Sequence, residues 1–205
     1  MARSKSSKKW LAEHFDDEYV LRAQREGLRS RAAFKLQELQ ERYQLVRPGM
    51  SVVDLGAAPG GWIQLVLRWL KGKGRAIGLD LLPIEPLDGA VLIQGDFTED
   101  EPLAVLAEAL EGQPVDLVLS DMAPNISGMR AVDQPRAMYL VELAQDFARQ
   151  HLRKGGTLLM KVFQGEGFDE LVRQLRVDFS TVSVVKPKAS RPRSREVYVL
   201  ARGAR

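Results

Sequence analysis

Short apolar runs alternate with stretches of helical period from residue 51 to residue 185, and no other feature limits the fold of this chain as much. Strand patterns fall at Ser51–Leu55, Arg75–Asp80, 91–94, 115–121 and 157–163; helical patterns fall at 60–70, 99–111, 134–152 and 168–176. Strands separated by helices read as a parallel, doubly wound sheet covered on both faces, because parallel neighbours need a crossover. Two further strands, 181–185 and 196–201, break the rhythm, and the segment between them, 186–195, has no helical pattern. Without a crossover helix the last strand is expected to run antiparallel. The expected class is α/β: a mostly parallel seven-stranded sheet with an antiparallel last strand and helices on both faces. It is read as one domain over 1–205, with a basic, mostly helical N-terminal extension over about 10–47 (helical pattern 14–43).

Composition removes several chemistries. There is no cysteine, which excludes disulfides, thiolate metal sites, iron–sulfur clusters and a cysteine nucleophile among these residues. Only two histidines occur, His14 and His151, so no histidine-rich metal site is expected and a histidine-based triad is disfavoured. No run approaches the ~18 apolar residues of a membrane span, and residues 1–10 are basic without the apolar stretch of a secretory signal. A cytoplasmic location is the default expectation.

The net charge of +3 hides a segregation. Residues 1–9, 22–47 and 186–205 together hold 18 of the 30 Lys and Arg but only 4 of the 27 acids. Basic ends alone are a common solubility device, but a third basic segment inside the chain favours a polyanion partner. Converging Lys and Arg are what phosphate neutralisation requires.

The strongest local signal is DLGAAPGGW at 54–62, set between a strand and a helix. Glycines there, Gly56 first, let the chain turn and bring backbone N–H groups to a ligand at the carboxyl edge of the sheet. Asp80 ends the second strand 24 positions after Gly56, placed to bind vicinal ribose hydroxyls. Asp96, in QGDF at 94–97, follows the third strand, where it can meet an adenine amino group. A plain structural turn is one alternative and a dinucleotide another. Against the dinucleotide, Ala58 stands where G-x-G-x-x-G requires its second glycine, and Pro59 lacks an N–H that a diphosphate would use. An adenosyl group carrying an amino acid has no diphosphate, so S-adenosylmethionine is the favoured cofactor.

Three polar residues stand where an acceptor would lie: Asp121 ending the fourth strand, Lys161 inside the apolar fifth (LMKVF, 159–163), and Glu196 opening the last. A lysine within a strand buried on both faces is costly unless paired or functional. Asp121 and Lys161 on adjacent strands would pair; a merely structural ion pair is the plain alternative. Methylation of a hydroxyl benefits from a positioned base, and a lysine, ordinarily protonated, serves either as that base or as a group orienting the hydroxyl. Pyrimidine C5 methylation commonly uses the cysteine this chain lacks, and DMAPN at 121–125 lacks the aromatic with which exocyclic-amine enzymes stack a base. Oxygen is the better acceptor.

DLGAAPGGW (54–62), SDMAPNISG (120–128), VDQPRAMYLVELA (132–144), KVFQGEGFDE (161–170) and SRPRSREVYV (190–199) together resemble the FtsJ/RrmJ family of ribose 2′-O-methyltransferases, over about residues 10 to 199. Closest are the bacterial enzymes of large-subunit ribosomal RNA. The resemblance implies a Rossmann-like methyltransferase fold and a catalytic tetrad of Lys35, Asp121, Lys161 and Glu196. Within it Lys161 would accept the proton and Asp121 would orient the amine. It also implies cofactor contacts at Gly60, Trp62, Asp80, Asp96 and Asp121. On residue type alone Lys35 is one more basic residue of the N-terminal extension. The implied substrate is a uridine of the A-loop in the assembled 50S subunit, with no metal and no membrane, acted on by a monomer. Arg29, Arg31, Lys188, Arg191 and Arg193 are candidate phosphate contacts. Alternatives are transfer RNA or an RNA cap as acceptor, an RNA-binding assembly factor without useful catalysis, and, more distantly, a dehydrogenase. The tails, 1–9 and 200–205, carry no motif.

Overall fold

The computed structural model describes residues 17–205. Seven strands form one sheet: β1 (Ser51–Leu55), β2 (Arg75–Asp80), β3 (Ala90–Gln94), β4 (Val115–Ser120), β5 (Leu152–Phe163), β6 (Phe179–Val185) and β7 (Glu196–Ala204). Their order is β3-β2-β1-β4-β5-β7-β6. The pairs from β3 to β5 are parallel, whereas β7 runs antiparallel to both β5 and β6. The expected antiparallel last strand is therefore present, and it is inserted between β5 and β6 rather than added at the edge.

Six helices cover the sheet among the described residues: α1 (Glu18–Arg25), α2 (Ala33–Tyr43), α3 (Gly61–Leu70), α4 (Asp100–Ala109), α5 (Arg130–His151) and α6 (Phe168–Asp178). Alternation along each strand sends neighbouring residues to opposite faces. Val52, Leu119, Leu159 and Tyr198 pack with α1, α2 and α3, while Val53, Val118, Leu158 and Val199 pack with α4, α5 and α6. A register shift between Val115 and Leu117 resets this parity in β4.

Among the described residues the N-terminal extension forms two helices. Gly27, at φ 63, turns the chain between them, and the Leu28 N–H donates to the Ala23 carbonyl at 2.8 Å. Its first residues, up to 16, lie outside the described part. The fifth helix begins one turn ahead of the expected Gln134, because the Asp133 carboxylate accepts from the Ser127 N–H (2.8 Å), the Ser127 hydroxyl (2.7 Å) and the Gly128 N–H (3.0 Å). Those bonds tie the loop after β4 to the start of α5. No helix among the described residues is long and apolar enough to cross a membrane.

Candidate active site

Parity along the strands places one row of polar side chains. Asp54 shares its face with Val52, Asp121 with Leu119, Lys161 with Leu159, and Glu196 with Tyr198, all on the side covered by α2 and α3. Every one of them stands at the carboxyl edge of the parallel strands, the edge where α/β sheets bind ligands. From above, α2 contributes Lys35.

These residues form two ion pairs joined by a tyrosine. The Lys161 ammonium donates to the Asp121 carbonyl at 2.5 Å and lies 3.2 Å from Asp121 Oδ1. The Lys35 ammonium lies 2.7 Å from Glu196 Oε1. Tyr198 faces Lys161 directly across the β5–β7 ladder; its hydroxyl donates to Asp121 Oδ1 at 2.5 Å, and Lys35 Nζ stands 5.5 Å from its ring centroid. Both lysines are more than nine-tenths buried, and such ammonium groups persist in a fold only when paired.

Burial pushes the Asp121 carboxyl upward, but Lys161, Lys35 and the hydrogen bonds from Tyr198 and Lys161 outweigh it, so the group titrates below the usual carboxylate range. Tyr198 is pushed well up, by burial first and then by Asp121 and Glu196, so its phenol stays protonated and donating. Asp54 lies beneath the cluster at 1 % exposure, with no hydrogen-bond partner on either oxygen. Burial, then Asp121 and Asp80, hold it well above its ordinary value.

A cleft of about 630 Å³ opens beside this cluster, lined in part by Gly56, Ala58, Asp80, Asp96, Phe97 and Asp121, with Arg136 and Tyr139 from α5. Gly56 has φ +79, and a Cβ there would stand 2.8 Å from Met122 Cγ, so only glycine lets the two loops meet. Asp80 receives the Ala58 N–H on Oδ2 and the Leu82 N–H on Oδ1, both at 2.8 Å, which fixes its carboxylate at the cleft wall. Thr98 donates its N–H and its hydroxyl to Asp96 Oδ1 alone, at 2.9 and 2.7 Å. Those bonds draw Asp96 below the ordinary carboxylate value, the backbone bond most.

Of the expected site residues, the structure brings Lys35, Asp121, Lys161 and Glu196 together and lines the cleft with Gly56, Asp80, Asp96 and Asp121. Two do not line it. Trp62 is 3 % exposed; its indole donates to the Ala32 carbonyl at 2.8 Å and stacks tilted on Tyr198 at 5.9 Å. Gly60, at φ +101, faces Arg29 and Ile84. The Trp62 indole thus lies behind the loop, while Gly60 caps the N-terminus of α3 and Trp62 stands in its first turn. Arg29, a candidate phosphate contact, has its guanidinium donating to the carbonyls of Pro59 (3.3 Å), Glu85 (2.6 Å) and Pro86 (2.9 Å). It clamps the glycine-rich loop after β1 to the segment after β2. Arg31 and Arg191 converge on Asp17, and the segment 186–195 is tied to α2 where the Lys188 N–H donates to Glu38 at 2.7 Å.

Residue type alone missed Tyr198 and Asp54. Both were open to a parity argument: Tyr198 lies two positions from Glu196 on one strand, and Asp54 is the lone acid in SVVDL, two positions from Val52. Among the described residues no group of three or more His, Cys, Asp or Glu side chains converges as metal ligands would.

A seven-stranded sheet with this order and one antiparallel insertion, carrying a glycine-rich first turn, an acid that ends the second strand and another after the third, is a Rossmann-like methyltransferase. The profile of the FtsJ-like methyltransferase family matches residues 28–204. The chain belongs to that family. It is 61 % identical to the "Ribosomal RNA large subunit methyltransferase E" of Alkalilimnicola ehrlichii, over 98 % of this chain and 96 % of that one. To the protein of the same name in Pseudomonas aeruginosa it is 58 % identical, over 100 % and 99 %. Among solved structures, a Plasmodium falciparum chain described as a ribosomal RNA methyltransferase superposes with a TM-score of 0.78 at 30 % identity, covering 86 % of this chain and 98 % of that one.

Proposed function

We propose that this methyltransferase moves a methyl group from S-adenosylmethionine to the 2′-hydroxyl of a ribose in large-subunit ribosomal RNA, a uridine of the A-loop in the assembled subunit, in the cytoplasm. The observation that carries the reading is the pair of buried lysine–carboxylate couples at the mouth of a cleft whose walls fit an adenosyl group. The names of the relatives support large-subunit ribosomal RNA as the acceptor, and the family resemblance supports the A-loop uridine.

The cleft suits that cofactor in three ways. Gly56 lines the cleft with bare backbone, Asp80 is fixed with acceptor capacity for two ribose hydroxyls, and Asp96 stands beside Phe97 with Thr98 holding only one of its oxygens. When bound, S-adenosylmethionine supplies a methyl group made electrophilic by its sulfonium. The chain does the rest by holding the acceptor and moving a proton. Asp121 anchors the Lys161 amine through both its carbonyl and its carboxylate, so the remaining Nζ position is aimed rather than free to rotate. With two N–H groups held on Asp121 and its third proton given up to solvent, the neutral Lys161 amine presents its lone pair there and takes the proton of the ribose hydroxyl. Lys35, paired with Glu196, adds a second cation that favours the developing oxyanion.

The test separates transfer from binding. Lys161→Ala is expected to abolish methyl transfer and leave RNA affinity nearly unchanged, with Lys161→Met as the volume-preserving control for folding. A fall in affinity as large as the fall in activity would overturn the assigned role. Equal methylation of transfer RNA and large subunits by the wild type would overturn the ribosomal assignment.

A further inference from the structure

A second cavity, of about 290 Å³, is lined by Arg31, Arg191, Arg193, Ser194 and Glu196, and so shares Glu196 with the four-residue cluster. Glu196 is already matched by Lys35. Among the described residues the Asp17 carboxylate faces Arg31 and Arg191. Its Oδ2 lies 3.0 Å from Arg31 Nε and 3.8 Å from Arg191 Nη2, while its Oδ1 receives the Tyr19 N–H at 3.0 Å. Arg31 is positioned before any ligand arrives, because its Nη2 donates to the Ala189 carbonyl at 2.8 Å. Convergent, pre-oriented guanidinium groups match an oxyanion, and phosphate above all. S-adenosylmethionine has no phosphate, so this cavity serves the acceptor.

In a ribonucleotide the 2′-hydroxyl and the 3′-phosphate stand on neighbouring carbons. A phosphate pocket that touches Glu196 therefore fits the linkage next to the reacting hydroxyl. We propose that Arg31, Arg191 and Arg193 hold the 3′-phosphodiester of the nucleotide being methylated, and that the Asp17 carboxylate keeps that phosphate's place until RNA binds. This rests on the RNA reading above and adds to it where the acceptor is gripped and what competes for the grip.

The experiment measures RNA affinity against salt, and methyl transfer, for the wild type, Arg191→Ala, Arg193→Ala and Asp17→Asn. The RNAs carry a single neutral methylphosphonate at each linkage around the target. Each arginine variant should raise Kd about tenfold at 0.1 M salt and lower the salt slope by about one. The methylphosphonate 3′ of the target should cost the wild type about tenfold and Arg191→Ala almost nothing. Asp17→Asn should tighten binding several-fold, a gain that misfolding cannot produce. Arginine variants with wild-type Kd and slope, or a methylphosphonate effect independent of position, would overturn the subsite. Competition by millimolar inorganic phosphate with no positional effect would assign the pocket to free phosphate and overturn the RNA linkage. A wild type that transfers no methyl group to RNA would overturn the functional reading itself; transfer that the variants leave untouched would overturn only the subsite.

Discussion

Removing the Tyr198 hydroxyl tests whether the cluster is held as one unit. Tyr198→Phe keeps the ring, and with it the packing on Trp62, and deletes one donor to the buried Asp121 carboxylate. A hydrogen bond to a charged group contributes about 1.5–3 kcal/mol; because Lys161 stays 3.2 Å from the same oxygen, Asp121 is not stranded and about 2 kcal/mol is expected. For a chain of this size that lowers Tm by about 4–8 °C. The pH dependence has a definite shape. Asp121 titrates below its ordinary value in the fold, so its contribution is present above about pH 4, the unfolded pKa, and is lost as pH falls. Tyr198 titrates above its ordinary value, so its contribution is present below about pH 10 and is lost as pH rises through the folded value. Urea unfolding should therefore show a gap between wild type and variant that is flat from about pH 5 to 9 and narrows on the acid side. A gap under about 0.5 kcal/mol at pH 7, or one that widens on acidification, would refute the coupling of Tyr198 to an ionised Asp121.

Three further outcomes follow from single contacts. Gly56→Ala should cost about 1–2 kcal/mol, from the left-handed backbone and the clash with Met122, and should weaken binding of S-adenosylhomocysteine measured by calorimetry; unchanged affinity would remove the loop from the cofactor site. Arg29→Ala should lower stability by about 1–2 kcal/mol through the loss of three carbonyl contacts while leaving the salt slope of RNA binding as it was, and a slope reduced by about one would restore Arg29 as a phosphate contact. Asp54→Asn should be more stable than the wild type at pH 8 and equal to it near pH 4. A raised acid contributes fully below its unfolded pKa and loses that contribution as pH rises through its folded value; a difference independent of pH would show that the fold does not raise Asp54.

The layered sheet was legible because every crossover helix carries an apolar stripe and every parallel strand an apolar run, and because 186–195 has no helical period to cross back with. What period could not show was that β7 enters between β5 and β6: strand order is decided by which edges remain open once the helices are seated. Lys161 was legible as a charge inside an apolar strand and Asp121 as its neighbour across β4. Lys35 was not, since in RAAFKLQ its burial depends on how α2 lies over the sheet, which no local pattern encodes. The partners of the Trp62 indole and the Arg29 guanidinium were not legible, for one reason. A large polar-tipped side chain beside a glycine loop looks like a ligand contact, whereas here each satisfies backbone carbonyls behind the loop. Tertiary hydrogen bonding decided both.

The central claim is ribose methylation of large-subunit RNA, and one labelling experiment tests it most directly. Large subunits from a strain lacking this protein would be incubated with the protein and S-adenosylmethionine tritiated in its methyl group, and the RNA then cleaved with alkali. A 2′-O-methyl group blocks cleavage at its own linkage, so the account predicts label in a single alkali-resistant dinucleotide that maps to the A-loop. Label that appears only in mononucleotides would place the methyl group on a base, and that result would contradict the account.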